Sequence, residues 1–290
     1  EFMIKRVIRV FKEINRHWVG DGFYVYGLLR PDNEINKAIS PFILLDYAAP
    51  MYFEPSQIPK GVGRHPHRGF ETVTFAYQGE VEHKDSSGAI GTIKTGDIQW
   101  MTAGRGIIHE EFHSRDFSKI GGQFEMVQLW VNLPKNIKMI KPSYQAIIKE
   151  SIPIIKVQNN VTMRVIAGKY NNIKGPANTH TEINIYDISS EKKENINIKL
   201  SDDSNTIILI MRGRLSIKGI DYQEKSIIVL ERENNLLSFH TSNNFKALIL
   251  NGKPIEEPLV AHGPFVMNNE QEILTAIEDY QNGSMENNSL

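Results

Sequence analysis

The sequence predicts an all-β protein of two β-sandwich or barrel domains with a short C-terminal helix. Three observations carry that expectation. Apolar stretches of about five to seven residues, rich in Ile, Val, Phe and Tyr, recur at 23–29, 72–77, 126–131, 183–188, 206–211, 226–230 and 245–250. Turn-forming segments such as SSG (86–88), KTGD (94–97) and MRGR (211–214) separate them. The two halves also echo each other: FAYQGEVEHKD (75–85) is similar to LIMRGRLSIKG (209–219), which aligns Gly79 with Gly213. At that spacing His65, His67 and His109 map to Lys199, Ser201 and Asn243, so the second half is expected to lack any metal site of the first.

Taken in order, Glu1 and Phe2 ahead of Met3 read as a cloning remnant, and EFMIKRVIRVFKEI holds no apolar run long enough for a signal peptide or membrane anchor. The basic, proline-bearing stretch 134–153 marks a boundary. It divides the chain into a domain over 3–138, a domain over 139–281 and a disordered polar tail over 282–290. The helix begins at Asn269, an N-cap with Glu272 three residues on. Ile273, Leu274, Ile277 and Tyr280 are its expected apolar face, and Gly283 stops it.

Of 290 residues, 40% are apolar and 23% charged, which fits a soluble protein with a sizeable core. The net charge of -1 gives no electrostatic case for direct nucleic-acid or membrane partners. Cysteine is absent, so any metal must be held by His and carboxylate side chains. A cytoplasmic location is the expectation.

The chemistry concentrates in RHPHRGFETV (64–73) and GDIQWMTAGRGIIHEEFH (96–113). On a strand, residues i and i+2 point to one face, so His65 and His67 can share a metal, and the same parity joins His109 to Glu111. Two such pairs on neighbouring strands put three imidazoles and a carboxylate around one point. That donor set suits a single divalent ion, Fe(II) ahead of Mn, Ni, Co, Cu or Zn, because open octahedral positions favour iron.

HPHRGFETV (65–73), GDIQWMTAGRGIIHEE (96–111) and QLWVNLP (128–134) resemble the N-terminal domain of the pirin family, within the cupin superfamily. MRVIAGKY (163–170) and GPFVMNNEQEI (263–273) resemble its second domain. The resemblance implies two stacked cupin domains, the first one metallated, with iron held by His65, His67, His109 and Glu111. The general cupin signature instead takes its carboxylate from the first motif, here Glu71. In this chain seven residues rather than six separate Glu71 from Gly79, and Gly104 stands where the signature has proline. Glu71 shares strand parity with His65 and His67 and is expected to face inward as an acid near the substrate.

Gln128 matches a pirin residue near the metal and is expected to orient a ligand, while Phe53 and Met101 are candidates to line an apolar pocket. His113 continues the parity of His109 and Glu111 but reads as a rim or surface residue. His17, His83, His180, His240 and His262 are isolated and read as hydrogen-bonded or surface residues. Arg64, Arg68 and Arg105 put positive charge around the motif and read mainly as solvated or paired residues, with attraction of an anionic substrate as the alternative. The resemblance implies a quercetin 2,3-dioxygenase-type enzyme that opens a flavonol ring with O2 and releases CO, with Glu111 or Glu71 as base. The alternative it implies is a non-enzymatic, iron-dependent, redox-responsive regulator of a protein partner such as a transcription factor or metabolic enzyme.

Overall fold

A computed structural model describes residues 3–290; Glu1 and Phe2, read above as a cloning remnant, lie outside the described residues. Where one face of a strand is buried, the alternation is plain: in Asn195–Lys199, Ile196 and Ile198 point inward while Asn195, Asn197 and Lys199 face water. Phe70–Gln78 is buried almost throughout, its Glu71, Thr72 and Thr74 included, so its sequence shows no exposed polar face.

The chain forms two compact units, and neither is a single block of sequence. One comprises Asn15–Asn33, Phe42–Lys149 and Ile255–Leu290; the other comprises the chain up to Ile14, Glu34–Pro41 and Glu150–Pro254. The expected division at 138/139 is therefore corrected at three places. Val7–Lys12 pairs with Ser226–Leu230 in the C-terminal unit. Ser143–Ile147 pairs with Ile98–Thr102 in the unit that carries the histidine motifs. Residues 255–290 also belong to that unit.

Each unit contains a seven-stranded and a four-stranded antiparallel sheet. In the histidine-bearing unit the four-stranded order is Gly61–His67, Ile107–His113, Val81–Asp85 and Ile90–Ile93; in the other it is Asn195–Lys199, Leu236–Thr241, Arg214–Ile217 and Ile220–Gln223. The orders match position by position, as do six of the seven positions in the large sheets; the seventh is an edge strand, Ser143–Ile147 in one unit and Val7–Lys12 in the other, so the duplication inferred from one turn extends to the rest of the topology. The aligned glycines are equivalent: Gly79 and Gly213 have φ of +85° and +75° at the turn into the next strand.

The pairing then fixes which residues correspond. Val81 pairs with His113 and Leu215 with Thr241, which puts Phe239 and Leu237 at the places of Glu111 and His109. His65 pairs with His109 and Ile198 with Leu237, which puts Ile198 and Leu200 at the places of His65 and His67. Ile217 stands where the first unit has His83. All five replacements are buried in the C-terminal unit's aliphatic core. The equivalents are thus not Lys199, Ser201 and Asn243: residues 86–89 separate Val81–Asp85 from Ile90–Ile93 but only 218–219 separate Arg214–Ile217 from Ile220–Gln223, so the spacing differs between halves.

The C-terminal helix spans Glu270–Gln281, and the Asn269 side chain accepts from Glu272 N at 2.9 Å, as expected of the cap. Its buried face is Ile273 and Ala276, whereas Leu274 and Tyr280 are exposed. The tail expected to be disordered forms a helical turn over Ser284–Asn288. Met285 and Ser289 are fully buried, and Ser289 Oγ lies 2.6 Å from Ser86 Oγ. Among the described residues no helix is long and apolar enough to cross a membrane.

Candidate metal centre

Antiparallel pairing of Gly61–His67 with Ile107–His113 places His65 opposite His109, and the ring centroids of His65, His67 and His109 lie 4.3 to 4.9 Å apart. One nitrogen from each comes within 4.8 Å of the other two. The remaining nitrogens are occupied. His65 Nδ1 donates to Gly63 O at 2.7 Å and His67 Nδ1 to Pro264 O at 3.4 Å, since a carbonyl can only accept. Both Nε2 atoms are left as lone-pair donors. His109 Nε2 is buried with no hydrogen-bond partner, a costly state for a polar atom unless a ligand completes it. Burial first, and neighbouring histidines second, hold His67 and His109 far below the ordinary imidazole pKa, so both are neutral as metal ligation requires. The three residues fit a divalent ion.

Glu111 stands beside this cluster. It joins His109 and His83 in a second group with ligand atoms within 4.8 Å, which shares only His109 with the first. Its carboxylate accepts from Gln99 Nε2 and lies 3.2 Å from Thr74 Oγ1. Thr74 Oγ1 is also 2.7 Å from Gln128 Oε1. His65, His67, Glu111 and Gln128 line a cavity of about 190 Å³ with Asp46, Phe23, Val25, Met126 and Trp130. Its walls are mainly apolar with a few convergent polar groups, as small-molecule sites tend to be.

Thr74, Gln99, Asp46 and His83 belong to this site and were not singled out from sequence. Asp46 reaches the cavity from Phe42–Phe53, where a lone carboxylate in FILLDYAAP was the available signal. Burial raises its pKa, and Arg30, with Nη1 at 2.6 Å from Oδ1, opposes that rise. His83 was read as isolated. It is buried and hydrogen-bonded, with Nε2 2.6 Å from Asp85 Oδ2, and its Nδ1 lies 3.4 Å from His109 Nδ1. The signal was HKD (83–85), an H-x-D repeating the parity of H-x-E on the adjacent strand.

Other expectations are corrected. Phe53 does not line the cavity; it packs among aromatic rings with His113 and Phe124. Met101 is buried beside Ala103 and Ile107 instead. His113 is neither a rim nor a surface residue but lies buried in that aromatic cluster, donating from Nε2 to Gly22 O at 2.7 Å, with its pKa pulled to about 4 by burial. Arg68, by contrast, is paired as expected: it is buried, with Asp279 2.8 Å away.

Glu71 is turned away from the cavity. On Phe70–Gln78, Thr74 faces Glu111, so residues of odd number face the other way. Glu71 accepts from Thr102 Oγ1 at 2.8 Å on that opposite face. Gly69, with φ of +92°, interrupts the extended run after His67, so parity does not carry across it. Burial pushes Glu71 up to about 7. The folded state therefore binds more protons than the unfolded state between the ordinary value of 4.5 and about 7, and stability falls as pH rises through that window. Glu71→Gln is expected to flatten this dependence and to gain on the order of 2 kcal/mol at pH 8, with metal content unchanged. Denaturant unfolding at pH 5 and pH 8 checks this; parallel curves for both proteins, or lost metal, would contradict it.

The C-terminal unit carries a larger groove, about 800 Å³, but it is lined by side chains of both charges, including Lys169, Lys253, Glu182, Asp202 and Asp203. Among the described residues it contributes to no group of three metal-ligating side chains.

Comparison with known proteins agrees with this architecture. The Pirin family profile matches residues 26–131, and the Pirin C-terminal cupin domain matches residues 185–286. A Pseudomonas aeruginosa protein provisionally named quercetin 2,3-dioxygenase is 45% identical over 97% of this chain and 98% of its own length. An Arabidopsis thaliana pirin-like protein is 36% identical over 98% of this chain and 86% of its own. The crystal structure of a quercetin 2,3-dioxygenase from Acinetobacter baumannii superposes with a TM-score of 0.94 at 46% identity, covering 98% of this chain and 99% of that one.

Proposed function

The chain belongs to the pirin family of two-cupin proteins, and from that premise we propose that it is a metal-dependent dioxygenase of the quercetin 2,3-dioxygenase type. One observation carries the reading: imidazoles converge on the wall of a mainly apolar cavity that also holds the carboxylates of Glu111 and Asp46 and the Gln128 amide. A binding scaffold does not need that combination. His65, His67, His109 and Glu111 would hold the ion, which we take to be Fe(II). When bound, it would supply Lewis acidity toward a flavonol's oxygens and a site for O2 chemistry.

The protein's own groups account for binding and proton transfer. Thr74 holds the Gln128 carbonyl, which leaves the Gln128 amide NH2 to donate to a substrate oxygen. With Glu111 proposed as the fourth ligand and already accepting from Gln99 Nε2, Asp46 is the wall carboxylate left to take the proton of a substrate hydroxyl. Arg30 opposes the rise that burial gives the Asp46 pKa. At about 190 Å³ the cavity is smaller than the ~300–1,000 Å³ sites that engulf a whole drug-sized ligand. A flavonol would insert its oxygenated ring system and leave its remainder at the mouth.

The test is headspace CO from quercetin and O2, with Fe(II)-reconstituted wild type and His67→Ala side by side. CO from the wild type alone is expected. No CO from fully metallated wild type would sink the dioxygenase reading.

A further inference from the structure

Asp85 and His83 form a chain of hydrogen bonds that ends on a metal ligand. Val81–Asp85 pairs with Ile107–His113 so that His83 lies opposite Glu111 and Asp85 opposite His109. Asp85 Oδ1 is fully engaged by the turn that follows it, accepting from Ser87 N at 2.8 Å, Ser87 Oγ at 2.6 Å and Ala89 N at 3.3 Å. Asp85 Oδ2 is left for His83 Nε2, 2.6 Å away, and both side chains are inaccessible to solvent. Tyr144 stacks on the His83 ring at 4.6 Å and 20°, fixing its plane. The other nitrogen of that ring, Nδ1, meets His109 Nδ1 at 3.4 Å.

A neutral imidazole carries one proton, so the direction of donation propagates from one end. A carboxylate accepts, so His83 donates through Nε2. With a single proton on its ring, which belongs to the assignment made below, His83 presents a bare Nδ1 that accepts, so His109 donates through Nδ1. His109 Nε2 is thereby left with a lone pair, and that nitrogen is buried with no hydrogen-bond partner among the described residues.

We infer that Asp85 and His83 are positioning residues that fix the tautomer and orientation of His109 so that its Nε2 is presented to the metal. The assignment rests on the metal-centre reading, not on the dioxygenase reading, and makes His83 a supporter of the site rather than a ligand. A partner on the far nitrogen is how metal-bound histidines are generally oriented; here it is relayed through a second imidazole.

Two substitutions separate direction from shape. In Asp85→Asn the amide oxygen can keep the turn while the NH2 faces His83, which reverses every donor in the chain and puts a proton on His109 Nε2. His83→Gln preserves the direction, because its amide can donate to Asp85 and accept from His109. The readouts are the imidazole nitrogen resonances of the metal-free protein, and Fe(II) and Ni(II) affinities by chelator competition. The wild type is expected to show His109 protonated at Nδ1. Asp85→Asn is expected to move that proton to Nε2 and weaken both metals about 10–100-fold, with the metal-free melting temperature unchanged. His83→Gln is expected to stay within about threefold of wild type. A wild-type His109 protonated at Nε2, an Asp85→Asn affinity equal to wild type, or a His83→Gln loss as large as that of Asp85→Asn would overturn the assignment. Should Asp85→Asn fail to fold, His83→Leu, which removes the acceptor, is compared with His83→Gln; equal affinities would overturn it as well.

Discussion

His67→Leu is expected to abolish tight metal binding while leaving the metal-free protein as stable as wild type or more so. His67 is one of the three converging imidazoles, and without it His65 and His109 cannot complete the cluster. Affinity for Fe(II) is expected to fall by more than about 10³-fold, since the remaining ligands no longer close the site. The stability half follows from burial. His67 lies against Phe70 and Trp130, with ring centroids 5.2 and 5.4 Å away, and its one hydrogen bond is long, 3.4 Å to Pro264 O. Leucine is what the duplicated unit carries there, at Leu200. Replacing a poorly satisfied buried polar ring by an apolar side chain of similar size is neutral or favourable, by up to about 1 kcal/mol. The measurement is thermal unfolding with chelator and with excess Fe(II). Wild type should rise with metal, because a ligand that binds only the folded state stabilises it, and the variant should not respond. A variant that still gains stability from Fe(II) would remove His67 from the ligand set.

That experiment uses the contrast between the two units, part of which was legible in the sequence. The strand runs and the Gly79–Gly213 turn announced a duplicated all-β fold, because turns and alternation are local. The histidines were legible because strand parity is local too. Parity failed at Glu71, where left-handed Gly69 resets the strand between His67 and Phe70. His83 was missed because its importance depends on which strand pairs with Ile107–His113, and pairing is not written in either strand alone. The unit boundaries failed for the same reason: nothing in VIRVFK states that Val7–Lys12 will add to the edge of the later sheet. The tail looked polar because Met285 is its one buried apolar side chain among the described residues.

Lys138→Met is expected to destabilise the histidine-bearing unit by about 3 kcal/mol, and by more at alkaline than at neutral pH. Lys138 lies in the stretch read from sequence as a boundary, yet it is buried, and its Nζ donates to Asn132 Oδ1 at 2.6 Å, Gly69 O at 2.7 Å and Val266 O at 3.0 Å. It thus ties the residue that follows the HPHR segment to the C-terminal segment. The two are already in close approach, since a Cβ on Gly69 would sit 2.0 Å from Val266 O. Methionine keeps the length but leaves three buried acceptors unpaired. Burial pulls the Lys138 pKa down to about 7 from its ordinary 10.5. Between those values the unfolded chain holds a proton that the folded chain has released, so this lysine's contribution to stability rises with pH through that window. Subtracting the variant's unfolding free energy from that of wild type should therefore give a difference that grows by up to about 2 kcal/mol from pH 7 to pH 9. A difference that stays flat would mean that the three acceptors hold the lysine as an ammonium across the range, with hydrogen bonding outweighing the effect of burial.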